Sequence, residues 1–167
     1  MIKMHSGGCQ CGAVRYRING ELMRPHICHC RMCQKAAGNY FMSLAGVAKE
    51  NLEITRGEIS WFLSSDPVRR GFCSACGTPL AIDTMAEPVI HMTLGSLDDP
   101  DSVHPERQYG TEARVPFFDK LPALPGTTTE GDGEEDQAFL EQIRDTTHQH
   151  PDHEMETWPP VTKVGAW

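Results

Sequence analysis

The chain has 167 residues, 39% of them hydrophobic, with 15 Lys and Arg set against 23 Asp and Glu for a net charge of −8. That length suits one domain with a modest core and a tail, and no apolar run approaches the ~18 residues that a membrane-spanning helix needs. The acidic balance argues against broad binding to nucleic-acid phosphate, which requires a basic face, so neither nucleic acid nor membrane is expected as a partner.

Much of the acid lies in Glu130-Gly131-Asp132-Gly133-Glu134-Glu135-Asp136, which leaves the rest of the chain nearer neutral. The mean hydropathy of −0.42 describes a soluble protein. The first residues, Met1-Ile2-Lys3-Met4-His5-Ser6, contain no apolar stretch of the signal-peptide kind, so the expectation is cytoplasmic. In a reducing compartment clustered thiols read as metal ligands or redox centres rather than disulfides, and the odd count of 7 Cys agrees.

In chain order, residues 13–18 alternate apolar and basic with period two, as a half-exposed strand does. Asn19-Gly20 follows, a strong hairpin signal, and residues 22–27 would return as its second strand. Residues 31–37 suit a short helix, with Gly38 at the left-handed C-terminal cap. Strand signals recur at residues 40–44, 52–55, 59–63, 68–72, 79–82 and 89–94, separated by turn residues such as Ser65-Asp66-Pro67 and Glu87-Pro88. Many short strands with little helical periodicity indicate a mainly β domain.

From Gly95 the chain turns into loops punctuated by Pro116, Pro122 and Pro125, and residues 127–134 read as an acidic linker. Phe139, Leu140 and Ile143 share one face of an amphipathic helix over residues 135–145. The remainder, with His148, His150 and His153, lacks periodicity and reads as an extended or disordered solvated tail. The boundary falls near residue 126: a compact domain over 1–126, then linker, short helix and tail over 127–167.

The cysteines fall into three groups. Cys28-x-Cys30-x-x-Cys33 places three thiols in six residues, while Cys9-x-Cys11 and Cys73-x-x-Cys76-Gly77 supply two pairs. Structural zinc takes four tetrahedral ligands; a working zinc site keeps three protein ligands and an open position. One closed four-thiol site and one open three-thiol site would use all seven. Spacing leaves other pairings open, such as Cys9 and Cys11 with Cys28 and Cys30. A redox reading of Cys73 and Cys76 would call for a βαβ context, which this strand-rich pattern lacks.

The segments Gly7-Gly8-Cys9-x-Cys11-Gly12, Cys28-His29-Cys30-x-x-Cys33-x-Lys35-x-x-Gly38 and Phe72-Cys73-x-x-Cys76-Gly77-Thr78-Pro79-Leu80, with Gly95-Ser96-Leu97-Asp98-Asp99-Pro100, resemble the glutathione-dependent formaldehyde-activating enzyme family, which includes centromere protein V. The resemblance covers roughly residues 5–125. It implies a β-tent of two antiparallel sheets with short helices and two zinc ions per chain. It implies Cys9, Cys11, Cys73 and Cys76 as ligands of a structural zinc, and Cys28, Cys30 and Cys33 as ligands of a catalytic one. The implied activity is that of a carbon–sulfur lyase; the type reaction joins formaldehyde and glutathione to give S-hydroxymethylglutathione. Partners would then be an aldehyde and a small thiol such as glutathione. Two competing readings are a non-enzymatic zinc module that binds a protein, and a thiol or metal sensor.

Other residues carry weaker signals. His29 lies between two thiols and on an extended chain would point away from a metal. His26 and His91 sit in apolar strands and read as packing residues. Arg31 and Lys35 could steer a glutathione carboxylate or be solvated helix charges, and Arg69 and Arg70 pose the same choice. Where the family often carries His and Trp after the Gly-Ser-Leu-Asp segment, this chain has Gln108-Tyr109 and Val115-Pro116-Phe117.

Overall fold

A computed structural model describes residues 3–129 and 134–158. Part of the acidic linker, residues 130–133, and the last part of the tail, residues 159–167, lie outside the described residues. In chain order the elements are β1 (Met4–Gly8), β2 (Arg15–Asn19), β3 (Met23–Cys28), α1 (Arg31–Ala37), β4 (Met42–Ala48), β5 (Leu52–Arg56), β6 (Ser60–Ser65), β7 (Val68–Phe72), β8 (Pro79–Thr84), β9 (Val89–Thr93), β10 (Arg107–Tyr109) and α2 (Glu134–Thr146), with short 3-10 turns between them.

The protein is mainly β. Among the described residues the strands form a three-stranded sheet in the order β1-β2-β5 and a seven-stranded sheet in the order β10-β3-β4-β9-β8-β7-β6. Neighbours pair antiparallel except β10, which runs parallel to β3 with Tyr109 opposite Cys28. Tyr16 and Ile18 of β2 are fully buried and meet Ala45 and Val47 of β4, Leu80 of β8 and Met92 of β9 between the two sheets. That alternation follows from the two-residue period of a strand with one face on a core.

The period fails at Arg15, which the sequence pattern places on the half-exposed face. A register shift between Arg15 and Tyr16 turns Arg15 inward, to 2% exposure, where its guanidinium donates to both carboxylate oxygens of Asp98 at 2.8 and 2.6 Å. A bidentate pair of this kind satisfies a charge that could not otherwise be buried.

Asn19-Gly20 does not close a hairpin. β2 already has β1 and β5 on its two sides, so the chain leaves Asn19 for the other sheet. Gly20, at φ 151°, makes that exit, and its amide donates to the Lys3 carbonyl at 3.0 Å. The expected helix α1 forms and ends at Gly38 in the left-handed conformation, φ 60° and ψ 29°. Strands β1 and β10 carry no sequence signal: β1 includes Gly7-Gly8, and the residues of β10 are all exposed. Helix α2 forms where Phe139, Leu140 and Ile143 suggest one, yet Phe139 and Ile143 remain exposed.

Candidate metal centres and active site

All seven cysteines are free thiols, and they converge in two groups. The sulfurs of Cys9, Cys11, Cys73 and Cys76 lie within 4.8 Å of one another, and so do those of Cys28, Cys30 and Cys33. Each group could hold a metal ion. Four thiolates at about 2.3 Å from a tetrahedral zinc would stand about 3.8 Å apart. The Cys9 and Cys11 sulfurs are 3.7 Å apart and those of Cys11 and Cys73 3.9 Å, so the donor set fits such an ion.

The four-thiol group is part of the main core; Cys9, Cys11 and Cys73 are 3%, 3% and 1% exposed. Cys9 and Cys11 sit in the loop between β1 and β2, and Cys73 and Cys76 in the turn between β7 and β8. The turn is closed by the Gly77 amide donating to the Cys73 carbonyl at 2.8 Å. Backbone amides face the sulfurs: Val14 N–H donates to Cys9 Sγ at 3.2 Å and Ala75 N–H to Cys73 Sγ at 3.4 Å. Burial pushes the Cys9 thiol up. For Cys76 burial is outweighed by the Thr78 hydroxyl, 3.1 Å from the sulfur, and by backbone amides, which hold its thiol at about 6. Thr78 also accepts the Gln10 amide at 3.1 Å and so joins the two halves of the group.

The three-thiol group lies in a smaller cluster with Met42 and Leu44, packed by Ala37 and Ile82. Cys28 is the last residue of β3, Cys30 immediately precedes α1, and Cys33 is in its first turn. A strand that ends as a helix begins brings the three sulfurs to one point without help from distant sequence. Burial raises the Cys33 thiol to about 12, and Arg70 opposes that rise. Cys30 moves the other way: burial is outweighed by the Cys33 and Met32 amides and the neighbouring thiols, which stabilise its thiolate.

The segment around β10 buttresses this group. His29 N–H donates to the Tyr109 carbonyl at 2.8 Å, and the His29 ring, fully buried, holds Gln108 Oε1 through Nε2 at 2.8 Å. Gln34 Nε2 donates to the carbonyls of His29 at 2.8 Å and Ala113 at 2.9 Å. Gly110, at φ 64°, passes so close that a Cβ there would stand 2.6 Å from the Cys30 nitrogen.

Beside the three thiols runs a groove of about 380 Å³ lined by Arg31, Met32, Lys35, Ala36, Phe62, Ser64 and Arg70. Both terminal nitrogens of Arg70 lie 3.8 Å from Cys33 Sγ. Arg69 faces the other way, as strand alternation requires. It pairs with buried Asp83 at 2.8 Å and stacks over Trp61 at 4.0 Å. Sequence alone left Arg69 and Arg70 equivalent; which face of β7 meets α1 separates them.

His26 is buried and its Nδ1 meets the Arg24 carbonyl at 2.9 Å, with the His91 and Tyr109 rings edge-on against it, so both histidines pack as their apolar strands suggest. The tail histidines do not behave alike. His150 is 4% exposed and docked against the Cys9–Gly12 loop, contrary to the solvated tail expected from composition, because Gln10 and Arg56 supply it with partners. His148 and His153 are exposed. Gln34 and Arg15 carried no signal of their roles, since each bonds a partner distant in sequence, Ala113 and Asp98 respectively.

The family described as glutathione-dependent formaldehyde-activating enzyme matches residues 4–112, a range that holds all seven cysteines. Over 112 residues, 60% of this chain and 70% of the relative, the chain is 33% identical to a Halomonas elongata protein provisionally named a glutathione-dependent formaldehyde-activating enzyme. The crystal structure of a Rhodobacter sphaeroides protein is similar in fold, with a TM-score of 0.50 and 21% identity over 62% of this chain and 98% of that one. Among the described residues no helix is long and apolar enough to cross a membrane.

Proposed function

Because the chain belongs to the glutathione-dependent formaldehyde-activating enzyme family, we propose that it is a zinc-dependent carbon–sulfur lyase acting on the adduct of an aldehyde with glutathione or another small thiol. The observation that carries this reading is the position of the three convergent thiols beside a groove with three cationic side chains. Cys9, Cys11, Cys73 and Cys76 would hold a structural zinc, and Cys28, Cys30 and Cys33 a second one with a position left for substrate. Zinc bound there would stabilise a substrate sulfur as thiolate, the nucleophilic form of a thiol.

In the joining direction the thiol sulfur attacks the aldehyde carbon, one carbon–sulfur bond forms, and the thiol proton ends on the former carbonyl oxygen. The reverse reaction breaks that bond and returns the proton. Arg31, Lys35 and Arg70 offer positive charge to the carboxylates of a thiol such as glutathione, with Arg suited to bidentate contact. Met32 and Phe62, both exposed, supply apolar surface to the same groove. Its volume falls within the range of small-molecule sites, about 300–1,000 Å³. Arg70 has a second task, since its charge offsets the negative charge that three neighbouring thiolates would gather.

Cobalt in place of zinc tests the reading. Added glutathione should intensify the sulfur-to-metal charge-transfer absorption, and Cys30→Ser should remove that response. Formaldehyde and glutathione should also combine faster than the background reaction with wild type and not with Cys30→Ser. A spectrum unmoved by glutathione, cysteine and other small thiols would overturn the lyase reading in favour of a zinc module without chemistry.

A further inference from the structure

The segment from Gln149 to Trp158 lies beyond the range matched by the family and returns to the four-thiol group. Three consecutive carbonyls of the Cys9–Gly12 loop are held: Gln10 by the His150 amide at 2.7 Å, Cys11 by the Trp158 indole N–H at 2.6 Å, and Gly12 by the Arg56 guanidinium at 3.2 Å. Arg56 is tied to the same segment, because it meets His150 Nε2 at 3.1 Å and donates to the Met155 carbonyl. Glu154 adds an ion pair with buried Arg15 at 3.2 Å. His150 and Trp158 stack, ring centroids 4.6 Å apart. A Cβ on Gly12 would stand 2.2 Å from the His150 ring and 2.8 Å from Trp158 Nε1, so the two surfaces meet without room for a side chain.

His150 is not itself a free ligand. Its Nδ1 meets the Pro151 carbonyl at 2.6 Å and its Nε2 meets Arg56. What the segment controls is the loop that carries Cys9 and Cys11. Cys9 and Cys11 are 3% exposed and Cys76 is less buried, so these two thiols part from an ion only if their loop swings away, and the loop cannot swing while its carbonyls at 10, 11 and 12 are held. Local openings of this kind are limited by the contacts that must break first.

We propose that residues 149–158 form a strap that sets the rate at which the four-thiol site exchanges its metal. His150 and Trp158 are its positioning residues, acting through the backbone of Gln10 and Cys11. The inference rests on the reading that these four thiols hold an ion.

The test follows zinc release from the full-length protein to excess 4-(2-pyridylazo)resorcinol. Wild type should release metal in a fast phase from the three-thiol site and a slow phase from the four-thiol site. Trp158→Phe, which keeps a ring and removes the indole donor, combined with His150→Ala should speed the slow phase at least tenfold. The fast phase and the total zinc should stay as in wild type. An unmoved slow phase overturns the strap, and so does equal acceleration of both phases, which would mark general loosening of the fold. If the double variant does not fold, Glu154→Gln carries the same measurement at the far anchor, with a smaller acceleration again confined to the slow phase. A wild type that holds one zinc per chain and loses it with Cys30→Ser would remove the four-thiol metal site itself, a failure distinct from that of the strap.

Discussion

Arg70 and Cys33, 37 residues apart in the chain, meet with both guanidinium nitrogens 3.8 Å from the sulfur. The contact joins the cationic groove to the three-thiol group, so in the proposed reaction Arg70 would feel both substrate charge and thiolate charge. Arg70→Gln should leave zinc content unchanged and raise KM for glutathione about tenfold, the size expected when a charge-assisted hydrogen bond worth ~1.5–3 kcal/mol is weakened. Arg69→Gln is the matched control, since Arg69 pairs with Asp83 away from the groove, and should leave KM at the wild-type value. Initial rates of both variants over a range of glutathione concentrations decide the matter.

The two thiol groups should fail differently. Cys76→Ser removes a thiol from a group built into the main core, and a structural zinc held there would contribute on the order of 10 kcal/mol to folding, as in small modules. That variant should be insoluble or lack a cooperative melt. Cys30→Ser should stay folded, lose about one zinc per chain and lose turnover, since its group sits in the smaller cluster and has one ligand fewer. Plasma mass spectrometry of metal content, read beside thermal melts, distinguishes them.

Gly110 should tolerate no side chain. Its φ of 64° costs a non-glycine residue roughly 1–3 kcal/mol, and the added Cβ would press on the Cys30 nitrogen. Gly110→Ala is expected to lower the melting temperature and to reduce occupancy of the three-thiol site, while the four-thiol site keeps its ion. Retention of the full metal content with an unchanged melt would count against the buttress.

Asp83 ties stability to acid pH. Burial pushes its carboxyl up, but Lys49 at 2.7 Å and Arg69 at 2.8 Å outweigh burial and hold it below the ordinary carboxylate range. A carboxyl depressed in the folded state contributes its full stability above its unfolded value of about 3.9, and the contribution is lost as pH falls through the folded value. Asp83→Asn should therefore cost ~1–3 kcal/mol at pH 7, with Lys49 and Arg69 partly rehydrated. In urea melts the gap to wild type should narrow as pH falls from 5 towards 3; a gap constant over that range would contradict the assignment.

Much of this protein was legible because its signals are local. Cys28-x-Cys30-x-x-Cys33 spans one strand end and one helix turn, so the gathering of its sulfurs needs nothing beyond six residues. The helix α1 with its Gly38 cap follows from cap chemistry in the same way. Spacing could not decide which pair joins Cys9 and Cys11. That Cys73 and Cys76 do so depends on the β1–β2 loop and the β7–β8 turn, from different sheets, meeting at the edge of one core.

The remaining features belong to tertiary structure for the same reason: each pairs groups that local physics leaves indifferent. Composition reads residues 148–153 as solvated, and it takes the Gln10 carbonyl, the guanidinium of Arg56 and the Trp158 ring to draw His150 under cover. Arg15 looks like a strand's outer charge until a register shift turns it onto Asp98. Residue types and short spacings determined that this chain would gather thiols on a β framework. Which partners those thiols and charges met was decided by which sheet faces and loops came together, because a buried polar group takes its partner from whatever the packed fold brings within hydrogen-bond reach.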